Sequence, residues 1–287
     1  MKSEEKRTKA FYIDIEKVIS DKNPRLLKLL PGFLIRYLKK IIHQDELNEF
    51  LKLYGDLAGL DFIHEGLKYM EINYEVKGLE NLPKEGRFLF ASNHPLGGLD
   101  GLVFIHEVGK IWPRLKFPVN DLLMNIKNLD PVFLPINKHG KQDKQAVIQI
   151  EKSYASDDQI LYFPAGLCSR KKKGKIEDLE WKKHFITKAV KHKRNIVPVH
   201  FTGRNSNFFY NLANLRVLLG IKSNIEMVYL ANEMFKQKNK KIIVRFGEPI
   251  SYKMFDKTLS PQAWALKVKK IVYSLGEGKD ISLNTVS

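Results

Sequence analysis

The sequence predicts an α/β protein in which a central sheet, flanked by helices, follows a helical N-terminal unit. The 287 residues are 44% hydrophobic and 28% charged, which is typical of a globular protein with a sizeable core. From Phe11 to about Glu71, apolar residues recur at helical spacing. From Ile72 onwards, short apolar runs alternate with helical patterns, as in sheets covered by helices. The expected division is a helical unit at 1–72 and a second domain at 73–287.

Within the helical unit, the segment from Pro31 to Ile42 is the most distinctive. Apolar pairs recur at helical spacing, and basic residues fall on the opposite face. The pairs are Phe33 and Leu34, Tyr37 and Leu38, and Ile41 and Ile42, and the basic residues are Arg36, Lys39 and Lys40. A basic amphipathic helix is typical of proteins that lie on membrane surfaces, although helices packed on their own domain share the pattern. We expect this unit to associate with a membrane surface.

The second domain shows the alternation of strands and helices in detail. Helical patterns are predicted at 101–111, 141–154 and 181–193. Short apolar or alternating runs predict strands at 72–79, 88–92, 115–119, 132–136, 159–164, 195–202, 225–231 and 241–247.

Charge and cysteine content narrow the classes of function. The formal net charge of +17 favours polyanionic partners, and residues 169–175 are the start of the densest basic region. The single cysteine, Cys168, excludes an internal disulfide and a multi-thiolate zinc site. Because the chain contains no recognisable RNA-binding or zinc-finger pattern, nucleic acid is not an expected partner. Neither a signal peptide nor a membrane-spanning run of about 18 apolar residues is recognisable.

The segment ASNHPLGGLDG, Ala91 to Gly101, carries the clearest chemical signal. It follows a predicted buried strand and precedes a predicted helix, where α/β proteins place their sites. The glycines at 97 and 98 allow a turn that brings the Asp100 carboxylate back to the His94 imidazole. Such a pair makes a general base with a fixed tautomer. The alternative is that Asp100 only caps the following helix and His94 is an ordinary loop residue.

Three further segments accompany this motif, and together the four resemble the blocks of the glycerolipid acyltransferase superfamily. Asn93 precedes His94, and the other three are DPVFLPINK at Asp130–Lys138, LYFPAGLCSR at Leu161–Arg170 and NIVPVHFTG at Asn195–Gly203, in family order. These enzymes move fatty acyl groups from thioesters to hydroxyls of glycerol phosphates and lysolipids. The resemblance covers approximately residues 73–250. It implies that the sheet is mixed and that the protein is an acyltransferase.

Departures from the superfamily pattern indicate the branch. Five residues, rather than the usual four, separate His94 from Asp100. Ala165 and Cys168 stand where the superfamily has a glutamate and an arginine that help to hold the acceptor's phosphate. NHPLGGLDG, FPAG and the helical unit together resemble enzymes that O-acylate the 3-hydroxyl of N-(3-hydroxyacyl) amino acids, which yields ornithine or glycine lipids. Lysophosphatidic acid acyltransferase is the alternative activity.

The resemblance implies a role for each matching residue. His94 and Asp100 are the expected catalytic residues, and amides of the Gly97–Gly101 turn are expected to face the oxyanion. The expected substrate-binding residues are Asn93, Gly97, Gly98, Asn137, Lys138, Phe163, Pro164, Ala165, Gly166 and Arg170. No metal and no cofactor are expected.

The resemblance also implies partners and a location. The expected acyl donor is acyl carrier protein, with acyl-CoA as the alternative, and the acceptor is a lysolipid. We expect peripheral or monotopic attachment to an anionic membrane surface, at the cytoplasmic face of the inner membrane. Outside the enzyme class, the alternatives are a basic membrane-surface protein and a nucleic-acid-binding protein.

Overall fold

The computed structural model describes residues 12–119, 124, 126–136, 144–279, 282–283 and 285. Its first elements are five helices: α1 (Ile15–Lys22), α2 (Pro24–Leu29), α3 (Gly32–Ile41), α4 (Gln44–Tyr54) and α5 (Gly59–Tyr69). Local signals set the boundary between the first two. Asn23 caps α2 by accepting a hydrogen bond from the Leu26 amide, and Pro24 occupies the first helical position.

A seven-stranded sheet, in the order β1-β9-β8-β2-β5-β3-β4, forms the centre of the molecule. Its strands are β1 (Asn73–Lys77), β2 (Phe88–Ser92), β3 (Leu115–Val119), β4 (Phe133–Pro135), β5 (Gln159–Tyr162), β8 (Asn195–Phe201) and β9 (Lys241–Phe246). Neighbouring strands are parallel except β8 and β9, which are antiparallel. The predicted mixed α/β class is therefore confirmed.

Alternating residues of β2 divide the hydrophobic core into two layers. All five residues of Phe88–Ser92 are buried, as expected for a strand with helices on both faces. Phe90 packs in one layer with residues of α4, α5 and α6 (Gly98–Ile111). Leu89 packs in the other layer with residues of α7 (Lys144–Ala155), α8 (His184–Lys191) and α11 (Pro261–Gly276). The sheet is thus covered on both faces.

The remaining elements lie at the end of the sheet where β2 and β8 finish. They are the β6–β7 hairpin (Arg170–Lys172 and Lys175–Glu177), α9 (Asn207–Leu218) and α10 (Leu230–Phe235). The strand predicted at 225–231 is wrong, because Ile225–Tyr229 forms a short 3-10 helix that leads into α10. A short apolar run fits a strand or a helix equally well, so its pattern could not decide.

In the part of the chain that the structure describes, no helix combines the length and the apolarity needed to cross a bilayer.

Candidate active site

His94 and Asp100 come together at the carboxyl end of β2. The His94 Nδ1 and Asp100 Oδ1 atoms are 2.9 Å apart. The turn between them depends on Gly97, which has φ 77° and would place a Cβ 2.7 Å from a Leu230 methyl group. Any residue with a Cβ would be strained at this φ, and the Leu230 side chain would also have to move, so position 97 favours glycine.

The Asp100 carboxylate is completely buried and accepts two further hydrogen bonds. The Leu96 amide donates to Oδ2 over 2.8 Å, and the Gly101 amide donates to Oδ1 over 2.9 Å. Helix α6 begins at Gly98 and Gly97 is its N-cap, so the alternative that Asp100 is merely a cap is wrong. Asp100 lies in the first helical turn, where the helix dipole favours a negative charge. An acceptor fixed in this way directs His94 Nδ1–H inwards and leaves Nε2 for a substrate.

The FPAG segment lies directly against the histidine. The Phe163 ring stacks on the His94 ring with centroids 4.0 Å apart and an interplanar angle of 18°. Phe163 is itself held by edge contact with Phe117, at a centroid distance of 5.4 Å. Gly166 adopts φ 67° and its amide donates to the Phe163 carbonyl, which closes the turn. The structure therefore brings together two blocks that are about 70 residues apart in the sequence.

Asn93 connects β2 to β8. Its Nδ2 donates to the Phe201 carbonyl over 2.9 Å, and its Oδ1 accepts from the Phe201 amide over 2.7 Å. Because both ends of the amide are used, the side chain holds the strand ends in register. A contact with substrate remains a prediction for this residue.

The structure gives Arg170 partners within the protein. Its guanidinium donates to the Cys168 carbonyl over 2.7 Å and to Glu226 Oε1 over 2.8 Å, and the residue is 7% exposed. Substrate binding by Arg170 stays a prediction that would compete with these contacts. Asn137 and Lys138 lie outside the described residues.

Cys168 is buried, and its environment disfavours the thiolate. Burial raises the pKa of its thiol to about 11, and the neighbouring Arg170 offsets this only in part. The thiol is thus a packed side chain and a poor nucleophile.

Asp178, which is not among the residues predicted from sequence, supports His94. Its Oδ1 accepts from the His94 backbone amide over 3.1 Å and from Ser169 Oγ over 2.6 Å. Trp181 Nε1 donates to Oδ2 over 2.9 Å. Burial raises the pKa of this carboxyl, and these donors oppose that effect. The only sequence feature that could have marked Asp178 is its position close to a tryptophan within a basic region.

Ser169 closes a ring of contacts around the histidine. Its amide donates to the His94 carbonyl over 2.7 Å, while its hydroxyl donates to Asp178. Thus the backbone of His94 is fixed on its N–H side by Asp178 and on its carbonyl side by Ser169. The arrangement holds the imidazole between Asp100 and Phe163, with a side chain that is 16% exposed.

Known proteins match nearly the whole chain. The model of a family described as Acyltransferase matches residues 17–281. Lyso-glycine lipid O-acyltransferases from Bacteroides thetaiotaomicron and Phocaeicola vulgatus are 52% and 49% identical over 92% of this chain, and over 98% and 95% of theirs. A crystal structure of the 1-acyl-sn-glycerophosphate acyltransferase from Thermotoga maritima covers 78% of this chain and 80% of its own, at 19% identity and a TM-score of 0.46. The family model and the two relatives confirm the resemblance inferred from the motifs, and the chain belongs to the acyltransferase family.

Proposed function

We propose that this acyltransferase esterifies the 3-hydroxyl of an N-(3-hydroxyacyl) amino acid, with lyso-glycine lipid as the leading acceptor and lyso-ornithine lipid as the second. The observation that carries this proposal is the pair of lyso-glycine lipid O-acyltransferases that match 92% of the chain at about half identity. The His94–Asp100 pair supplies a chemical mechanism for the transfer.

In this mechanism His94 is the general base. Its Nε2 takes the proton of the acceptor hydroxyl while the hydroxyl oxygen attacks the thioester carbonyl. Asp100 stabilises the imidazolium that forms, through the 2.9 Å contact at Nδ1. The tetrahedral intermediate collapses by breaking the carbon–sulfur bond, and the proton on Nε2 passes to the departing thiolate. The products are the ester and the free thiol of the donor.

The first turn of α6 supplies candidate donors for the oxyanion. The first amides of a helix have no intrahelical acceptor and point out of its N-terminus. Within the Gly97–Gly101 turn, the Gly101 amide already donates to Asp100, so it is an unsuitable donor to the oxyanion. The amides of Gly98 and Leu99 are therefore the proposed oxyanion donors.

The FPAG block supports an acceptor without a phosphate. Arg170 is the only cation within Leu161–Arg170, and its guanidinium is engaged by Glu226 and the Cys168 carbonyl. Ala165 adds no charge and is 5% exposed. A phosphate is bound best by a free guanidinium or several amides, so this block favours a lysolipid of the amino-acid type.

The donor and the location complete the proposal. Acyl carrier protein is the proposed donor, because its acidic surface would suit a chain with a net charge of +17. The unit at 1–72 is proposed to attach the domain at 73–287 peripherally to the cytoplasmic face of the inner membrane. Helix α3 exposes Phe33 and Tyr37, which fits this role.

Transfer with purified protein tests the proposal. Radiolabelled acyl carrier protein is offered with lyso-glycine lipid, lyso-ornithine lipid or lysophosphatidate in detergent, and acyl-CoA replaces the carrier in a second series. We expect transfer to lyso-glycine lipid that is lost in His94→Ala. His184→Ala serves as the matched control, because His184 is an exposed residue at the start of α8.

Each outcome has a definite meaning. Transfer only to lysophosphatidate would preserve the mechanism and refute the proposed acceptor. Full transfer by His94→Ala would refute the mechanism. If no thioester and acceptor pair gives transfer, the proposed reaction is wrong.

A further inference from the structure

The C-terminal half of α9 and the segment after it present an unusual apolar surface. All residues from Val217 to Ile225 are exposed. Leu218 is 81% exposed, and Val217 and Leu219 are each 64% exposed. We call this the α9 surface and define it by the exposed apolar residues Leu215, Val217, Leu218, Leu219, Ile221 and Ile225. Single exposed leucines are ordinary, but a contiguous apolar group of this kind marks an interaction site.

The first turn of the helix that bears the α9 surface is joined to α3 through Tyr229. The Tyr229 hydroxyl lies 3.0 Å from the Tyr37 hydroxyl of α3, and the Tyr229 ring meets the Phe208 ring of α9 edge-on at 4.9 Å. Tyr37 and Phe208 are both exposed apolar residues. Two helices that are distant in the sequence therefore contribute to one side of the molecule.

This side of the molecule borders the active-site turn. Leu230 follows Tyr229 directly, and its methyl group is the atom that a Cβ at Gly97 would meet at 2.7 Å. Met234 lies one turn further along α10, and its sulfur would be 3.9 Å from a Cβ at Gly98. The exposed apolar side chains thus continue inwards to the turn that joins His94 and Asp100.

The charges around the α9 surface are basic. Residues 207–225 contain no aspartate or glutamate, and their cations are Lys222, which is exposed, and Arg216, which is paired with Glu226. The β6–β7 hairpin lies alongside, since Asn214 Nδ2 donates to the Lys171 carbonyl over 3.2 Å. That hairpin adds Lys171, Lys172, Lys173 and Lys175. Apolar side chains surrounded by lysines complement an apolar layer beneath negative headgroups.

We propose that the α9 surface docks onto an anionic lipid bilayer and is a membrane contact in addition to α3. Docking here would bring the apolar path over Leu230 to the bilayer, so that a lipid acceptor reaches His94 without crossing water. The inference concerns the docking surface and holds for any lipid acceptor. A second copy of the chain is the competing occupant, but the lysines on both copies would repel each other.

Vesicle co-sedimentation of the full chain tests the proposal. The probes are vesicles of phosphatidylglycerol with phosphatidylethanolamine, and vesicles of phosphatidylcholine alone. We expect Leu218→Glu combined with Leu219→Glu to weaken binding to the anionic vesicles at least about tenfold, since two leucines lose apolar contact. Ile148→Glu is the matched control, because Ile148 is 53% exposed on α7, which packs in the other core layer. It should bind like the unchanged protein.

A second measurement reports insertion directly. Leu218→Trp is expected to shift its fluorescence to the blue when anionic vesicles are added, whereas Ile148→Trp is expected to keep the spectrum of an exposed indole. Transfer to a detergent-dispersed acceptor should be unchanged in the Leu218 and Leu219 variant. That readout separates loss of docking from failure of the proposed reaction.

Three results would overturn the proposal. The first is equal vesicle binding by the double variant and the Ile148 control. The second is equal binding of the unchanged protein to anionic and phosphatidylcholine vesicles, which would remove the role of charge. The third is a difference in molar mass between the double variant and the unchanged protein, measured by light scattering, without a difference in vesicle binding. That result would identify a second copy of the chain as the occupant.

Discussion

The His94 turn and the α9 surface differ in the kind of group that each leaves buried or exposed. In the turn, the buried Asp100 carboxylate accepts three hydrogen bonds and the histidine backbone is held at both its N–H and its carbonyl. On the α9 surface, leucines as exposed as 81% lie in water. The turn satisfies buried polar groups inside the protein, whereas the α9 surface leaves apolar groups for an external partner. The residues of the proposed chemistry and those of the proposed docking surface thus belong to separate segments of the chain.

Glu226 connects these two regions. Its buried carboxylate accepts from Arg170, which follows the FPAG block, and from Arg216 of α9, each over 2.8 Å. One carboxylate thus connects the segment that follows FPAG to the helix that bears the apolar surface, and we call these two ion pairs the Glu226 junction.

The largest expected effect is on the turn, from Asp100→Asn. The asparagine amide would turn N–H groups towards the groups that now donate to Asp100. It would also lack the negative charge that stabilises the imidazolium, so we expect kcat to fall about 10³-fold or more. Acyl-transfer kinetics measure this fall in kcat, and Asp61→Asn on the exposed face of α5 is the control. A loss of less than about tenfold would show that Asp100 is only a structural acceptor.

The junction is expected to show a large effect on stability. Glu226→Gln leaves Arg170 and Arg216 buried without a counter-charge, so we expect the free energy of unfolding to fall by about 3 kcal/mol. Urea denaturation measures this change, with Glu177→Gln on the exposed end of the hairpin as the control. If the two variants are equally stable, the regions are not tied together by this carboxylate.

A smaller kinetic effect is expected from Asp178→Asn, which tests how the turn is positioned. The amide cannot accept from the His94 amide, Ser169 and Trp181 together, so the histidine backbone loses a support. We expect kcat to fall about 10-fold to 100-fold while KM for the acceptor changes less than about twofold, because Asp178 acts through His94.

The control for this prediction is Ser169→Ala. It removes one donor to Asp178 and keeps the contact with the His94 amide, so kcat should fall less than about threefold. A loss of kcat equal to that of Asp178→Asn would contradict the positioning role. So would an Asp178→Asn variant that is less stable and yet fully active.

The predictions from sequence were best where one segment carries a complete signal. The His94–Asp100 pair is contained in eleven residues, and its glycines predict the turn that the structure contains. The core strand Phe88–Ser92 was also recognisable, because burial on both faces leaves a continuous apolar run.

Predictions failed or were missing where distant segments meet. The run at 225–231 reads like a strand, but its helix is fixed by Glu226, whose partners come from β6 and α9. Asp178 lies 84 residues from the histidine that it supports, and nothing local marks that contact. Substrate binding by Arg170 stays a prediction, but its contact with Glu226 could not be read from the sequence. Such contacts depend on tertiary structure, which local patterns do not encode.

The smallest expected effect completes the comparison. Leu218→Ser should change the free energy of unfolding by less than about 0.5 kcal/mol, because a side chain that is 81% exposed loses little packing within the protein. The same change at Leu99, which is completely buried in α6 beside Asp100, should destabilise the protein by about 3 kcal/mol or more. Urea denaturation of the two variants measures this difference. If Leu218→Ser were strongly destabilising, the α9 surface would already be covered by the protein itself, and the leucines would then have a structural role in place of a docking role.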